Sequence, residues 1–284
     1  MIIACYNEQA TLADQLDSLV VQEWSEPWEI VFVDNRSTDN SLAIAKRYLE
    51  RLPNMKIVDA SEQQGKSFAL NKGIRAATGA LIAFLDADDQ VAPGWLPIVG
   101  QALEEHELIA TRTDVETLNN PNNRRYRGKV QSEGVLQIHY PPYLPHASGG
   151  TIGITRALND KIGGFDETLR CLEDTDYLWK AQLAGATLHY IPDAVVRVRF
   201  RSDLRGIYRQ RRAYAEYNVF LSKRYRSHGD PMPHPWRSYF NGWKRLLLGL
   251  GKLRHAPSRA DWVGKLGWMV GRTRGIFKYR VPPV

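Results

Sequence analysis

The chain has 284 residues, 43% hydrophobic and 10% aromatic, with 38 basic and 31 acidic side chains and a formal charge of +7. This composition supports a substantial core and excludes a disordered chain. Two cysteines, Cys5 and Cys171, make neither a disulfide framework nor a metal knuckle, so a reducing compartment is expected. No apolar run reaches the roughly 18 residues of a membrane-spanning helix, and "MIIACYNEQ" lacks the basic start of a signal peptide. The charge is uneven: from Arg197 onward there are 21 basic and 4 acidic residues, against 17 and 27 before it. The two parts are expected to face different surroundings.

In chain order, "MIIAC" reads as a short apolar strand, and Leu12, Leu16, Leu19 and Val20 follow on one face of a helix. "EIVFVD" is a second buried strand ending in Asp34. Ser37 reads as the N-cap of a helix bearing Leu42, Ala45, Tyr48 and Leu49. "MKIVDA", "SFALNKGIRAA" and "ALIAFLD" continue as strand, helix and strand. Such alternation predicts right-handed crossovers, a mostly parallel sheet, and a ligand site at the carboxyl ends of the strands. Tyr6, Asp34, the segment after Asp59, and Asp86-Asp88 all stand at those ends. Residues 106–150 are rich in Asn, Pro, Arg and Tyr and read as loops over the sheet, within reach of a substrate. A helix with Tyr177, Leu178, Ala181 and Leu183 and the strand "TLHYIP" follow.

Asp86, Asp88 and Asp89 crowd three carboxylates into four positions after an apolar strand. Their mutual repulsion costs stability unless a cation or a substrate relieves it. One reading makes "ASEQQGKS" (60–67) a phosphate loop and Asp86 the magnesium-holding Asp of a nucleoside triphosphatase. Such a loop wraps phosphate with backbone N–H groups and depends on glycine. Here Ala60 stands at its first glycine, Glu62, Gln63 and Gln64 fill it, and Asp34 and Glu173-Asp174 are left idle.

A second reading uses all of these residues. "IIACYNE", "EIVFVDNRSTDNS", "GKSFALNKGIRAATGALIAFLDADD", "GGTIGITRALNDKIGGFDE" and "CLEDTDYLWKAQLAGATLHYIPDAVV" occur in one order over about residues 1–200. In that order the chain resembles the inverting family 2 glycosyltransferases. The resemblance implies a GT-A fold (Rossmann-like α/β, a twisted, mostly parallel sheet flanked by helices), a nucleotide-sugar donor, and a Mg²⁺ or Mn²⁺ cation.

The resemblance also implies roles. Asp34 matches the residue that binds the nucleobase, Ala4 and Tyr6 flank the base, and Lys66 reaches the nucleotide. Asp86 and Asp88 match the D-x-D pair: Asp88 ligates the metal, and Asp86 holds the ribose or a metal-bound water. Hard carboxylate oxygens suit such a cation. Asp89 has no assigned role. Glu173-Asp174 matches the E-D motif, with Asp174 as the base that takes the acceptor hydroxyl's proton and Glu173 orienting it or the acceptor. Gly150, Gly164 and Phe165 fall on the acceptor side. Many relatives carry proline and a small residue at Ala4-Cys5 and a histidine after the last core strand. Here that stretch reads "VVRVRFRSD", which leaves Arg199 or Arg201 to assist the departing diphosphate.

The basic tail contains "WRSYFNGWKRLLLGLGKL", with Trp243, Leu246, Leu247 and Leu250 on one helical face, and "DWVGKLGWMVGRTRGIFKYR", with Trp262, Leu266, Met269 and Val270. Basic flanks beside tryptophans and short apolar faces fit helices lying in a membrane surface. The same pattern, with its glycines, also fits helices packed on protein. No nucleic-acid recognition motif occurs.

The expectation is a GT-A domain at 1–200 and a basic, Trp-rich helical region at 201–284. Its function would be metal-dependent, inverting sugar transfer, from a UDP-sugar by preference, to a hydroxyl of a glycan, glycolipid or lipid-linked acceptor in cell-surface polysaccharide synthesis. The expected place is cytoplasmic, at the inner face of the cell membrane. The alternative is a catalytically silent nucleotide-sugar-binding or scaffold protein of the same fold.

Overall fold

A computed structural model describes residues 1–119 and 131–284, which divide into two compact units. The first comprises Met1–Asp114, Gln131–Leu136 and His146–Arg199; the described parts of the second are 115–119, Gln137–Pro145 and Phe200–Val284.

The first unit is built on an eight-stranded sheet with flanking helices. Its strands are β1 (Ile2–Cys5), β2 (Ile30–Asp34), β3 (Met55–Asp59), β4 (Leu81–Asp86), β5 (Gln90–Val91), β6 (Leu108–Asp114), β7 (Ile152–Thr155) and β8 (His189–Arg197), in spatial order β3-β2-β1-β4-β7-β6-β8-β5. Strands β1 to β4 are parallel where they pair, and β7 enters antiparallel between β4 and β6. All five residues of β2 are buried, as a strand covered on both faces requires. Helices α1 (Leu12–Val20), α2 (Ser41–Arg47), α3 (Lys66–Ala76), α4 (Trp95–Glu105), α5 (Arg156–Ile162) and α6 (Glu173–Leu183) flank the sheet. Phe84, Phe165 and Tyr177 pack in the core, the last two stacked with ring centres 3.9 Å apart.

Two sequence expectations need correction. Helix α2 begins at Ser41 and not after Ser37, because Asp39 Oδ1 accepts from both the Ser41 N–H (2.9 Å) and its hydroxyl (2.6 Å) and sets the first turn. Residues 108–114 are not loop but the buried strand β6, paired on both sides. The loop residues 120–130 lie outside the described residues.

The second unit contains α7 (Leu204–Arg224), α8 (Pro235–Leu248), a 3₁₀ turn (Leu250–Arg254) and α9 (Ala256–Tyr279). Gly267, Gly271 and Gly275 bring α9 against α7: a Cβ on Gly271 would lie 2.1 Å from the Arg212 carbonyl oxygen. Glu216 of α7 accepts from Arg274 (3.1 Å) and Lys278 (2.8 Å). The tail helices therefore pack on one another. Leu246 is buried, while Leu247 is exposed, and Leu250 falls beyond α8, so the single apolar face expected from the sequence is split.

Candidate active site

The register of three parallel strands sets the site's frame. Cys5 at the end of β1 pairs with Asp34 at the end of β2, and Ala4 pairs with Asp86 at the end of β4. Neighbouring strands lie about 4.8 Å apart, so Asp34 and Asp86 stand roughly 10 Å apart on either side of β1. Asp34 is buried, its Oδ2 accepts weakly from the Ser37 N–H (3.4 Å), and its Oδ1 has no hydrogen-bond partner. Tyr6, just past β1, is exposed.

The Asp86 loop is held from several directions. Gln15, wholly buried on the apolar face of α1, donates to the Asp86 carbonyl (3.0 Å). Asp89 is buried and accepts from the Arg199 N–H (2.9 Å), while Arg199 Nε donates to the Asp88 carbonyl (3.2 Å) and its terminal nitrogen to Asp14 (2.9 Å). Burial, then the charges of Asp88 and Asp86, hold the Asp89 carboxyl well above the usual carboxylate range. One oxygen from each of Asp86, Asp88 and Asp89 falls within 4.8 Å of the others. Three hard oxygen donors so close together fit a divalent cation of the magnesium or manganese type. Arg199 thus braces this loop through backbone and Asp14, and Arg201 belongs to the other unit.

Lys66 opens α3 and pairs its ammonium with the Asp86 carboxylate, with Glu173 Oε1 3.9 Å away. Burial pulls its pKa down, but the neighbouring carboxylates, Asp86 first and then Glu173, outweigh this and leave it well above the ordinary lysine value.

The third component comes from α6. Leu172 takes a left-handed backbone (φ 58°) at the helix N-cap, and Glu173 and Asp174 form the first turn, where the helix dipole favours acidic groups. Asp174 Oδ2 accepts from the Gly149 N–H (3.0 Å) and Oδ1 from the Thr175 N–H (2.7 Å). The Thr175 hydroxyl in turn contacts His146 Nδ1 (3.2 Å). Burial raises the Asp174 carboxyl, against the pull of Lys66; burial and then Asp174 push Glu173 up to about 7. Burial also lowers His146 to about 4, so that its ring is neutral at physiological pH.

The 3₁₀ turn Gly149–Thr151 locks these groups together. Gly149 bonds Asp174, and a Cβ on Gly150 would lie 2.9 Å from the Asp86 backbone nitrogen. Only glycine permits that approach. Gly164 (φ 72°) turns the chain against Asn71, which brackets the turn by accepting from the Phe165 N–H (2.9 Å) and donating to its carbonyl (2.9 Å). Phe165 itself is a core residue, and Asp176, in the first turn of α6, is fully buried.

Of the residues singled out in the sequence, Lys66, Asp86, Asp88, Gly150, Glu173 and Asp174 converge on one acidic site. Neither Gln15 nor His146 was given a role from the sequence. The only signal for Gln15 was a polar residue among Leu12, Leu16 and Leu19 on one helical face.

A family model described as "Glycosyl transferase family 2" matches residues 1–163. The uncharacterized glycosyltransferase YibD of Escherichia coli K12 is 41% identical over 111 residues, 39% of this chain and 32% of that protein. The poly-beta-1,6-N-acetyl-D-glucosamine synthase of Staphylococcus aureus COL is 27% identical over 231 residues, 76% of this chain and 53% of that protein. The chain thus spans about half the synthase and a third of YibD. Among solved structures, the mannosyltransferase PcManGT of Pyrobaculum calidifontis, in complex with GDP-Man and Mn²⁺, superposes with a TM-score of 0.70 at 19% identity, covering 98% of this chain and 86% of that one. S. aureus TarS 1–349 with UDP gives 0.55 at 18%, covering 99% and 91%. The shared architecture is that of the GT-A glycosyltransferases.

Proposed function

Because the chain belongs to glycosyl transferase family 2, we propose that it transfers a sugar from a nucleoside-diphosphate sugar to an acceptor hydroxyl, inverting the anomeric carbon. The observation that carries this reading is the meeting of Asp174 with Asp86 and Asp88 around Lys66 and the Gly149–Gly150 turn.

Asp34 Oδ1, buried and without a partner, would accept an N–H from the nucleobase, an arrangement suited to uracil and also to guanine. A UDP-sugar is the favoured donor; GDP-Man, UDP and UDP-GlcNAc in the structural neighbours support a nucleotide sugar in general. Asp88 and Asp86 would hold a Mg²⁺ or Mn²⁺ ion, which when bound neutralises charge on the leaving diphosphate. Asp174 receives the proton of the acceptor hydroxyl as that oxygen bonds to the anomeric carbon. The bond from that carbon to the diphosphate breaks on the opposite side, and the electron pair leaves with the nucleotide. Burial makes Asp174 a stronger base than an exposed aspartate. Glu173, close to the shared Lys66 ammonium, orients the acceptor.

The acceptor is a glycan, glycolipid or lipid-linked sugar, and the setting is surface-polysaccharide synthesis at the inner face of the cell membrane. The named polysaccharide synthase among the relatives supports this setting. The test is release of nucleoside diphosphate from a panel of UDP-, GDP- and dTDP-sugars with Mn²⁺. Release from one donor that needs Asp174 and Asp88, while Asp174→Asn still binds that nucleotide, is the expected result. Nucleotide binding indifferent to Asp88→Ala, with no release from any donor, would replace the enzyme with a silent nucleotide-sugar-binding protein.

A further inference from the structure

Helix α8 has two apolar sides. On one, Leu246 is buried and a Cβ on Gly242 would lie 2.7 Å from the Met269 sulfur of α9. On the other, Trp236, Phe240 and Leu247 are 47%, 63% and 62% exposed. At 100° per residue these three side chains fall within about 40° of one another. Leu248, the last residue of α8, and Leu250, just beyond it, are exposed as well. Beside it an open groove of about 580 Å³ is lined by Trp243, Val270, Thr273, Phe277 and the stems of Arg274 and Lys278, with Phe277 itself 78% exposed.

The strip is set among basic residues, of which Lys252 has Asp261 at 3.7 Å. Between Pro231 and Ala260 there are six basic residues and no acidic one, and Arg237, Lys244, Arg245, Lys252 and Arg254 are exposed. No described helix is long and apolar enough to cross a membrane. Aromatic rings amid Lys and Arg on a short helix suit the boundary between headgroups and acyl chains, where rings bury shallowly and cations meet lipid phosphates. A second copy of the chain would set like charge against like. A surface of fixed negative charge matches this face.

We propose that the outer face of α8, with Phe277 and the adjoining groove, docks on an anionic phospholipid bilayer, α8 lying in the plane of the surface. The inference is independent of the sugar-transfer reading, since none of these residues belongs to the acidic site.

The test is co-sedimentation of the full chain with vesicles of phosphatidylcholine alone or with 30% phosphatidylglycerol. About 0.1 M salt is used, where surface charges still act over roughly 10 Å. The chain pellets with the anionic vesicles, shows a blue shift of its tryptophan emission, and is released by high salt. Phe240→Ser/Leu247→Ser, with an unchanged melting temperature, binds at least about tenfold more weakly. Arg237→Glu/Lys244→Glu removes the preference for anionic lipid. Equal partitioning of the native chain with and without phosphatidylglycerol would overturn the proposal, as would undiminished binding by the serine pair. A native dimer that the serine pair converts to monomer would assign the face to a second copy and overturn it too.

Discussion

The ammonium of Lys66 is shared: it pairs with the Asp86 carboxylate at the end of β4 and lies 3.9 Å from Glu173 on α6. One cation thus ties the acidic cluster at the strand ends to Glu173, the neighbour of the candidate base, across a gap of 20 residues on one side and more than a hundred on the other. Replacing Lys66 with Met leaves these carboxylates to repel one another. The variant is expected to bind Mn²⁺ more tightly than the native chain when no nucleotide is present, because the competing positive charge is gone. Titration followed by electron paramagnetic resonance of free Mn²⁺ checks this, and an unchanged or weaker affinity would refute it.

Asp174→Asn keeps the size of the side chain and an oxygen for the Gly149 N–H but removes the base. Turnover is expected to fall by about 10²–10⁴, the usual contribution of general base catalysis, with nucleotide affinity nearly unchanged. A parallel loss of nucleotide binding would mean that Asp174 serves the donor and not the acceptor.

The pH profile should reflect the burial of this pair. Asp174 acts only when ionised, and burial raises its pKa, with Glu173 beside it pushed up to about 7. Activity is therefore expected to fall as pH drops, along a limb lying above the value of about 4 of an exposed carboxylate. A limb at or below that value in kcat/KM would show that neither buried carboxyl controls the rate.

His146 provides a stability test apart from catalysis. Its folded pKa is about 4 against an ordinary value of 6.5, because burial disfavours the charged ring. A depressed pKa means that the folded state binds fewer protons, so its contribution is complete above about pH 6.5 and is lost as pH falls toward 4. Between these limits the chain should lose up to about 1 kcal/mol per pH unit from this group. Urea unfolding at several pH values checks the slope, and His146→Gln should flatten it.

Gly150→Ala would place a methyl group 2.9 Å from the Asp86 nitrogen, and the backbone there has no flexible side chain to yield. The expected outcome is a displaced Asp86 loop and at least about tenfold weaker metal-dependent nucleotide binding, with a moderate fall in melting temperature. Calorimetric titration beside a thermal melt separates the two effects.

Strand and helix order through the first 90 residues, the placement of Asp34 and Asp86 at strand ends, and the E-D pair at a helix start were legible in the sequence. Each rests on a local period or a local motif, as with the apolar run that ends in Asp86. The run 108–114 was not legible as β6, since its Thr, Arg and Asp look like loop until β7 and β8 cover them. Nor was the two-sided division of α8, which depends on where α9 presents Met269. The sequence by itself determined which chemical groups the protein carries and on which elements they sit, because hydrophobic period and turn chemistry act over a few residues. Only the tertiary structure decided that Lys66 meets Asp86, that Gln15 holds the Asp86 carbonyl, and that Gly150 admits Asp86 beside Asp174. Those contacts join residues 20 to 88 positions apart, and they form only when the sheet and its helices pack, which no local window of sequence contains.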